Sequence, residues 1–442
     1  MRPNRQNPDR GNSAPSNPAT PTTAEGLADG TRLELVRVNS ESKLLVWRNN
    51  RPRLAVRFES GTRTYEAMSL DSTILAAVRF PGGTADYGST ANLFQKILDA
   101  MSKFSGLPDR ELRTIPYWVL SSWFPDVLPA PPTLVVTGPS RAEAHRFLRV
   151  LGCFCRRSVL LTELSPVGFL ALPMHLRPTI LIEQSNLVPQ LRAYLRAGSN
   201  CGGYVPRPGG FLDLHCVKAV YCEEDDLDSE LQEGVLRISL FPTAASTEFF
   251  DASKEERLSA EFQPQLLQYR LKNFQAVQES RFDEPGFTTG MRELARSLGA
   301  SVAGDPNLTS GITSLLSFQD EDVRLSWATL PNVAIIVSLL AFVHEKKERR
   351  IPVKKLTEFV NAVLTARGEI KEYNPVEIGR LLSRLNLRRS RSAGGMVLDL
   401  TRVVSRRVHD LKGRYGVTTS PASFPGCPDC DPSEVSGKRR LM

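Results

Sequence analysis

The residues best placed to do chemistry follow an apolar strand. Behind TLVVT (Thr133 to Thr137), the chain reads TGPSRAEAHRFLRVL from Thr137 to Leu151. Strand, glycine turn and helix are the setting that a phosphate-binding loop demands. In such a loop, glycines bring backbone N–H groups to phosphate oxygens. A Lys reaches the terminal phosphates, and a Ser/Thr hydroxyl holds Mg²⁺. Aligned on Gly138, this chain has Glu143 for the second Gly, Ala144 for the Lys and His145 for the hydroxyl. Each exchange removes a required interaction, and Glu143 adds negative charge where phosphates would sit. The other reading of Ser140-x-x-Glu143 is a helix capping box, with Ser140 as N-cap and Glu143 reaching back to it. The strand PTILIEQS repeats the message. It ends on Glu183-Gln184, where anchoring Mg²⁺ and activating water ask for Asp-Glu. Glu183 could still meet a metal, but the Gln184 amide is no base at neutral pH.

A second constellation is basic. Ile351 to Gly416 holds fourteen Lys/Arg and six Asp/Glu, a surplus of +8, which equals the net charge of the whole chain. The predicted order there is helix, short strand, helix, helix, strand, turn, strand, helix. Asn374-Pro375-Val376-Glu377 predicts a capping box with Pro at the first helical position. It starts EIGRLLSRLN, which turns Ile378, Leu381, Leu382 and Leu385 inward and leaves Arg380, Ser383 and Arg384 on the other face. LRRSRS, a glycine tip and MVLDL predict a β-hairpin carrying Arg388, Arg389 and Arg391. This is a winged helix-turn-helix pattern. Arg380, Ser383 and Arg384 are the candidates for the DNA groove, and the three hairpin arginines for the backbone phosphates. A merely solvated face, or a protein-binding module, would use the same residue types.

These sites need elements to hold them. The chain has 442 residues, 41% of them apolar and 24% charged. That composition excludes a wholly disordered, collagenous or disulfide-scaffold protein. The fold class expected is α/β, a three-layer core on a parallel sheet, because strands alternate with helices from Thr133 to Phe241. The expected divisions are a disordered tail (1–30), a small antiparallel β region (31–87), the α/β core with leading helices (88–252), a helical, lid-like region (253–330), the winged helix (331–417) and a flexible tail (418–442). The longest apolar run, Val333 to Val343, is about half of a bilayer span and predicts a buried helix. No membrane or export segment is expected, and the cysteine usage fits a reducing, cytoplasmic setting.

Residues 88 to about 430 resemble a bacterial family related to the P-loop (AAA+-like) ATPase domains of plasmid- and phage-type primase–helicase proteins. The matching stretches are SSWFPDVLPAPPTLVVTGP, LGCFCRRSVLLTELSP, LRPTILIEQ, LRAGSNCGGYVPR and LQYRLKNFQ, followed by His344-Glu345 and LTARGEI. The resemblance implies a P-loop core, a helical region and a C-terminal winged helix. It also implies Lys, Thr and Asp-Glu at positions 144, 145 and 183–184, and Arg near Glu233. This chain departs at every one of them. The expectation is therefore a catalytically degenerate scaffold with no ATP or Mg²⁺ cofactor, a double-stranded DNA partner and self-association as an option. An active ATPase with unusual residues, or a protein-interaction module, are the alternatives.

Cys427-Pro428-Asp429-Cys430 is a lone CxxC. Structural zinc needs four ligands, and no second pair lies nearby in sequence. His409 and His344 look isolated, so the expectation is a free pair and no metal, with a redox disulfide or half of an intermolecular zinc site as the alternatives for Cys427 and Cys430.

Overall fold

From Arg32 onward, the first strands form where apolar-rich runs are separated by Asn and Gly turns. The computed structural model describes residues 19–184, 187–198, 202–207, 209–222, 234–241, 248–328, 330–346, 348–417, 427 and 429–430. Glu233 lies outside them. Residues 1–318 and 319–442 are two compact units.

The first unit opens with β1 (Thr20–Thr22), β2 (Ala24–Gly26), β3 (Arg32–Val38), β4 (Glu41–Arg48), β5 (Arg51–Ala55), β6 (Arg57–Ser60) and β7 (Arg63–Ala67). The expected single antiparallel sheet is two sheets. One is antiparallel, in the order β2-β3-β4-β5. The other is β1-β7-β6, with β1 parallel to β7. Both begin before Arg32, because backbone pairing to β3 and β7 recruits Thr20 to Gly26 without needing apolar alternation. Asn39-Ser40 and Asn49-Asn50 take positive φ at the β3–β4 and β4–β5 turns, the conformation that tight hairpins require and Asn tolerates. On β3, Leu33, Glu34, Leu35 and Val36 are all buried.

Three helices follow: α1 (Ser72–Ala77), α2 (Thr90–Ser105) and α3 (Asp109–Ser121). Then strands and helices alternate: β8 (Thr133–Thr137), α4 (Arg141–Gly152), β9 (Val159–Leu161), α5 (Pro166–Leu170), β10 (Ile180–Glu183) and α6 (Pro189–Ala197). A short hairpin, β11 (Tyr204–Arg207) and β12 (Gly210–Asp213), precedes β13 (Lys218–Tyr221) and β14 (Val235–Ser239). The sequence pattern does not predict this hairpin, because its Gly- and Pro-rich segment carries no strand periodicity. The five core strands pair in parallel in the order β14-β8-β13-β10-β9. Burial of all of β8 and β10 is what continuous apolar runs predict for a parallel sheet. Helices α7 (Ala252–Gln278), α8 (Thr289–Ser301) and α9 (Pro306–Ala328) complete the order to the unit boundary, which falls inside α9.

One buried charge sits at the start of β13. Lys218 is fully buried and donates from Nζ to the Cys216 carbonyl at 2.9 Å. Burial pushes its ammonium below the ordinary lysine value. Between the folded and unfolded values the unfolded chain binds more protons, so this group costs stability at neutral pH and stops doing so as pH rises through the unfolded value. Lys218→Met is expected to leave stability near neutral pH unchanged or raise it by about 1–4 kcal/mol. The gap to wild type should close in urea titrations near pH ~10. A variant less stable than wild type at both pH values would refute this account.

The second unit contains α10 (Pro331–Ala341), a π-helical turn (Phe342–Lys346), β15 (Arg350–Pro352), α11 (Val353–Ala366), α12 (Pro375–Arg384), β16 (Ser390–Ser392), β17 (Gly395–Asp399) and α13 (Arg402–Arg414). β15-β17-β16 is antiparallel, and β16 and β17 form the expected hairpin. The core takes Ile335, Ile336 and Leu339 from α10, Leu356 and Val360 from α11, Ile378 and Leu382 from α12, and Val408 and Leu411 from α13. The capping box at Asn374 is complete: Asn374 accepts from the Val376 and Glu377 amides, and Glu377 accepts from the Asn374 amide. Among the described residues no single helix is long and apolar enough to cross a membrane.

Candidate functional site

The carboxyl edge of the parallel sheet is where open α/β folds bind ligands, and it collects the first set of candidate residues. At the end of β8 the chain turns at Gly138, whose φ is +151°. A Cβ there would lie 2.1 Å from the Leu240 carbonyl oxygen. The Leu240 amide donates to Thr137 O at 2.7 Å, and Tyr221 Oη donates to Gly138 O at 2.9 Å. The turn is clamped from both sides, so Gly138→Ala is expected to cost about 1–3 kcal/mol of backbone strain alone. Thermal unfolding of the full chain measures it, and an unchanged midpoint would show that the loop can move away.

Ser140 is the N-cap of α4, accepting from the Glu143 amide at 3.3 Å. The reciprocal half of the predicted capping box is replaced: the Glu143 carboxylate bonds the Arg146 guanidinium. The longer arginine offers a charged partner one turn away, a stronger bond than a neutral amide offers. Ala144 is fully buried. His145 points to the sheet and bonds Glu183 through Nδ1, while Arg141 Nε donates to the other Glu183 oxygen at 2.7 Å. Arg141 and His145 stand four apart on one face of α4, so both reach the same carboxylate. Burial works against ionised Glu183, but the bonds from Arg141 and His145 outweigh it and hold the group below its ordinary value. Gln184 accepts from the Leu164 amide at 2.9 Å and ties the end of β10 to the segment after β9. A cleft of about 680 Å³ lies beside this cluster, lined by Arg141, Glu163, Ser165 and Gln184 among others. Reading the loop alone missed Arg141. Its i, i+4 spacing to His145 was the available signal.

The basic set lies in the second unit. Arg380 and Arg384 are exposed, one turn apart on α12, opposite its buried Ile378 and Leu382. Arg388 and Arg391 are exposed at and beside the hairpin. Neither pair forms an ion pair among the described residues. Two of the predicted contacts are turned to other uses. Arg389 folds back over Gly379 and donates from Nη2 to Ser383 Oγ at 3.0 Å, and Ser383 Oγ donates to Gly379 O at 3.2 Å. Gly379 has no side chain, and that opens the space the guanidinium fills. Asp399 takes the nearby Arg350 at 2.7 Å and the Ser390 hydroxyl at 2.7 Å, bonds that hold its carboxyl below the ordinary range.

The expectation that the CxxC stands alone is corrected by the tertiary structure. Cys427, Cys430, His344 and His409 place one ligand atom each within 4.8 Å of one another. Sequence spacing could not reveal this, since Cys430 and His344 are 86 residues apart.

The five-stranded parallel sheet, its flanking helices and the glycine turn after β8 define a mixed α/β protein. No protein-family profile and no curated protein match the chain. Among solved structures, it is similar to a full-length MCM homolog from Methanopyrus kandleri, at 11% identity and a TM-score of 0.36 over 66% of this chain and 69% of that one. It is also similar to the apo C-terminal region of NrS-1 in its A form, at 11% identity and 0.36 over 83% and 96%. A second A-form apo structure of that region, residues 305–718, gives 10% and 0.33 over 84% and 96%.

Proposed function

We propose that this protein binds double-stranded DNA through its basic C-terminal unit, and that the P-loop-like unit is a scaffold that does not hydrolyse ATP. The observation that carries the first half is the exposed set Arg380, Arg384, Arg388 and Arg391, unpaired among the described residues. On this reading α12 is the recognition helix of a winged helix, lying in the major groove, and the β16–β17 hairpin is the wing against the phosphates. Unpaired guanidinium groups on one helix face and one hairpin are what a phosphate backbone attracts, since binding releases condensed counterions.

The second half is supported by the loop. Ala144 offers no cation to a terminal phosphate, and Glu143 brings a carboxylate to the first turn of α4. Arg141 and His145 already engage Glu183, the carboxylate at the end of β10 that could anchor a metal. A magnesium-bound triphosphate would have to displace both. These residues do not fit that group, and no step is assigned to it.

The test is duplex affinity against salt concentration, for the full chain and for a chain ending before Pro331, with a nucleotide titration beside it. Truncation should abolish binding, and no ATP binding should appear at millimolar ATP-Mg²⁺. Unchanged DNA binding after truncation would sink the first half, and DNA-stimulated turnover the second.

A further inference from the structure

We infer that His344, His409, Cys427 and Cys430 form a closed Cys₂His₂ zinc site that pins the end of the described chain to the second unit. All four belong to that unit. His344 Nε2 lies 3.0 Å from His409 Nε2, Cys427 Sγ 3.5 Å from His409 Nε2, and Cys430 Sγ 3.3 Å from His344 Nε2. Zinc bonds of about 2.0 Å to nitrogen and 2.3 Å to sulfur, at tetrahedral angles, separate two nitrogens by roughly 3.3 Å and a nitrogen from a sulfur by roughly 3.5 Å. Those three separations are close to the edges of such a tetrahedron, and all four ligand atoms lie within 4.8 Å of one another.

The surroundings prepare each ligand. His409 donates Nδ1–H to the Ser405 carbonyl of its own helix at 2.8 Å. That bond fixes the tautomer and leaves the Nε2 lone pair facing the cluster, as the second bond of a metal-bound histidine usually does. His344 sits in the π-helical turn that follows α10 and is buried. One extra residue in that turn re-aims the side chain out of the α-helical register, a device often found at functional sites. The two cysteines form a tight turn, with the Cys430 amide donating to Cys427 O at 3.1 Å.

The donor set selects the metal. Two sulfurs and two imidazoles in a tetrahedron suit zinc, whereas Mg²⁺ and Ca²⁺ take oxygen. An iron–sulfur cluster held by the same residue types would put the two cysteines and the two histidines on different irons. Here each sulfur touches a ring nitrogen, which leaves room for one ion. Four protein ligands leave no position for water or substrate, so the site is structural. Binding converts both thiols to thiolates and releases their two protons to solvent.

The experiment uses the untagged full chain, expressed with zinc, dialysed and analysed for metals. About one zinc per chain is expected, and Cys427→Ser/Cys430→Ser should retain less than about a tenth of that. Because that variant could misfold, cobalt substitution of the wild type is the second measurement. It should give the intense visible bands of tetrahedral cobalt with sulfur-to-cobalt charge transfer. His409→Cys should keep the metal and move those bands to lower energy. Less than about a tenth of a zinc per chain with no tetrahedral cobalt spectrum would overturn the inference. So would an intact mass showing Cys427 and Cys430 joined as a disulfide in the freshly purified protein.

Discussion

Glu34→Gln is expected to destabilise the first unit by about 3–5 kcal/mol, the cost of removing one partner from a buried charge network. Glu34 lies on β3, fully buried, and its carboxylate bonds Arg156 at 3.1 Å, Arg157 at 3.0 Å and Arg270. Arg270 also holds Asp126 with both its terminal nitrogens, and all three arginines are buried. Five charges thus share one site, three positive and two negative, with Asp126 at its half-buried edge. A glutamine preserves the shape but leaves Asp126 as the one carboxylate of the network against three guanidinium groups. Burial alone would raise the Glu34 pKa, but Arg156, Arg270 and Arg157 overcome it and hold the group below its ordinary value. Asp126 is depressed in the same way, chiefly by Arg270 against the effect of burial. The sign follows: both contributions are present above the unfolded carboxylate value and are lost as pH falls through the folded values. Wild type should therefore lose stability steeply in acid, and Glu34→Gln less steeply. Urea denaturation at several pH values measures both effects, with exposed Glu59→Gln as the near-neutral control. A change under about 0.5 kcal/mol at neutral pH would show that the network relaxes around the amide.

The second large effect concerns DNA. Arg380→Ala/Arg384→Ala is expected to weaken duplex binding by about 2–6 kcal/mol if both read base edges, at about 1–3 kcal/mol each. Adding Arg388→Ala and Arg391→Ala should lower the salt-dependence slope by up to about 2, roughly one unit for each phosphate that is no longer neutralised. All four side chains are exposed, so circular dichroism and the unfolding midpoint should barely move. Arg389→Ala should behave in the opposite way. Its guanidinium packs on Gly379 and bonds Ser383, so the change should loosen the hairpin while leaving the salt slope closer to wild type. If Arg389→Ala lowers the slope as far as Arg388→Ala does, the folded-back arginine swings out when DNA binds. If the four-arginine variant binds like wild type, the basic face serves another purpose.

The local features of this protein were legible along the chain because their partners lie within a few residues. The Asn374 capping box, the glycine turn after β8, the five parallel strands and the hairpin after α12 all follow from periodicity and short-range hydrogen bonding. The surplus of +8 between Ile351 and Gly416 is a matter of counting. The missing Lys at position 144 needed no structure either. The N-terminal strands β1 and β2 were not legible, because edge pairing recruits polar residues that show no pattern of their own.

Only the tertiary structure decided which side chains meet. Glu34 and Arg270 are 236 residues apart, Arg141 and Glu183 are 42, and Cys430 and His344 are 86. A charged residue in a strand such as RLELVRV reads as the solvent face until a second layer covers it. A CxxC reads as two spare thiols until a helix end and a neighbouring helix bring up two imidazoles. Propensity and capping depend on bonds within one turn, and the sequence states those directly. Buried charges and metal ligands depend on which elements pack together, and that is set by the closing of long loops around shared cores.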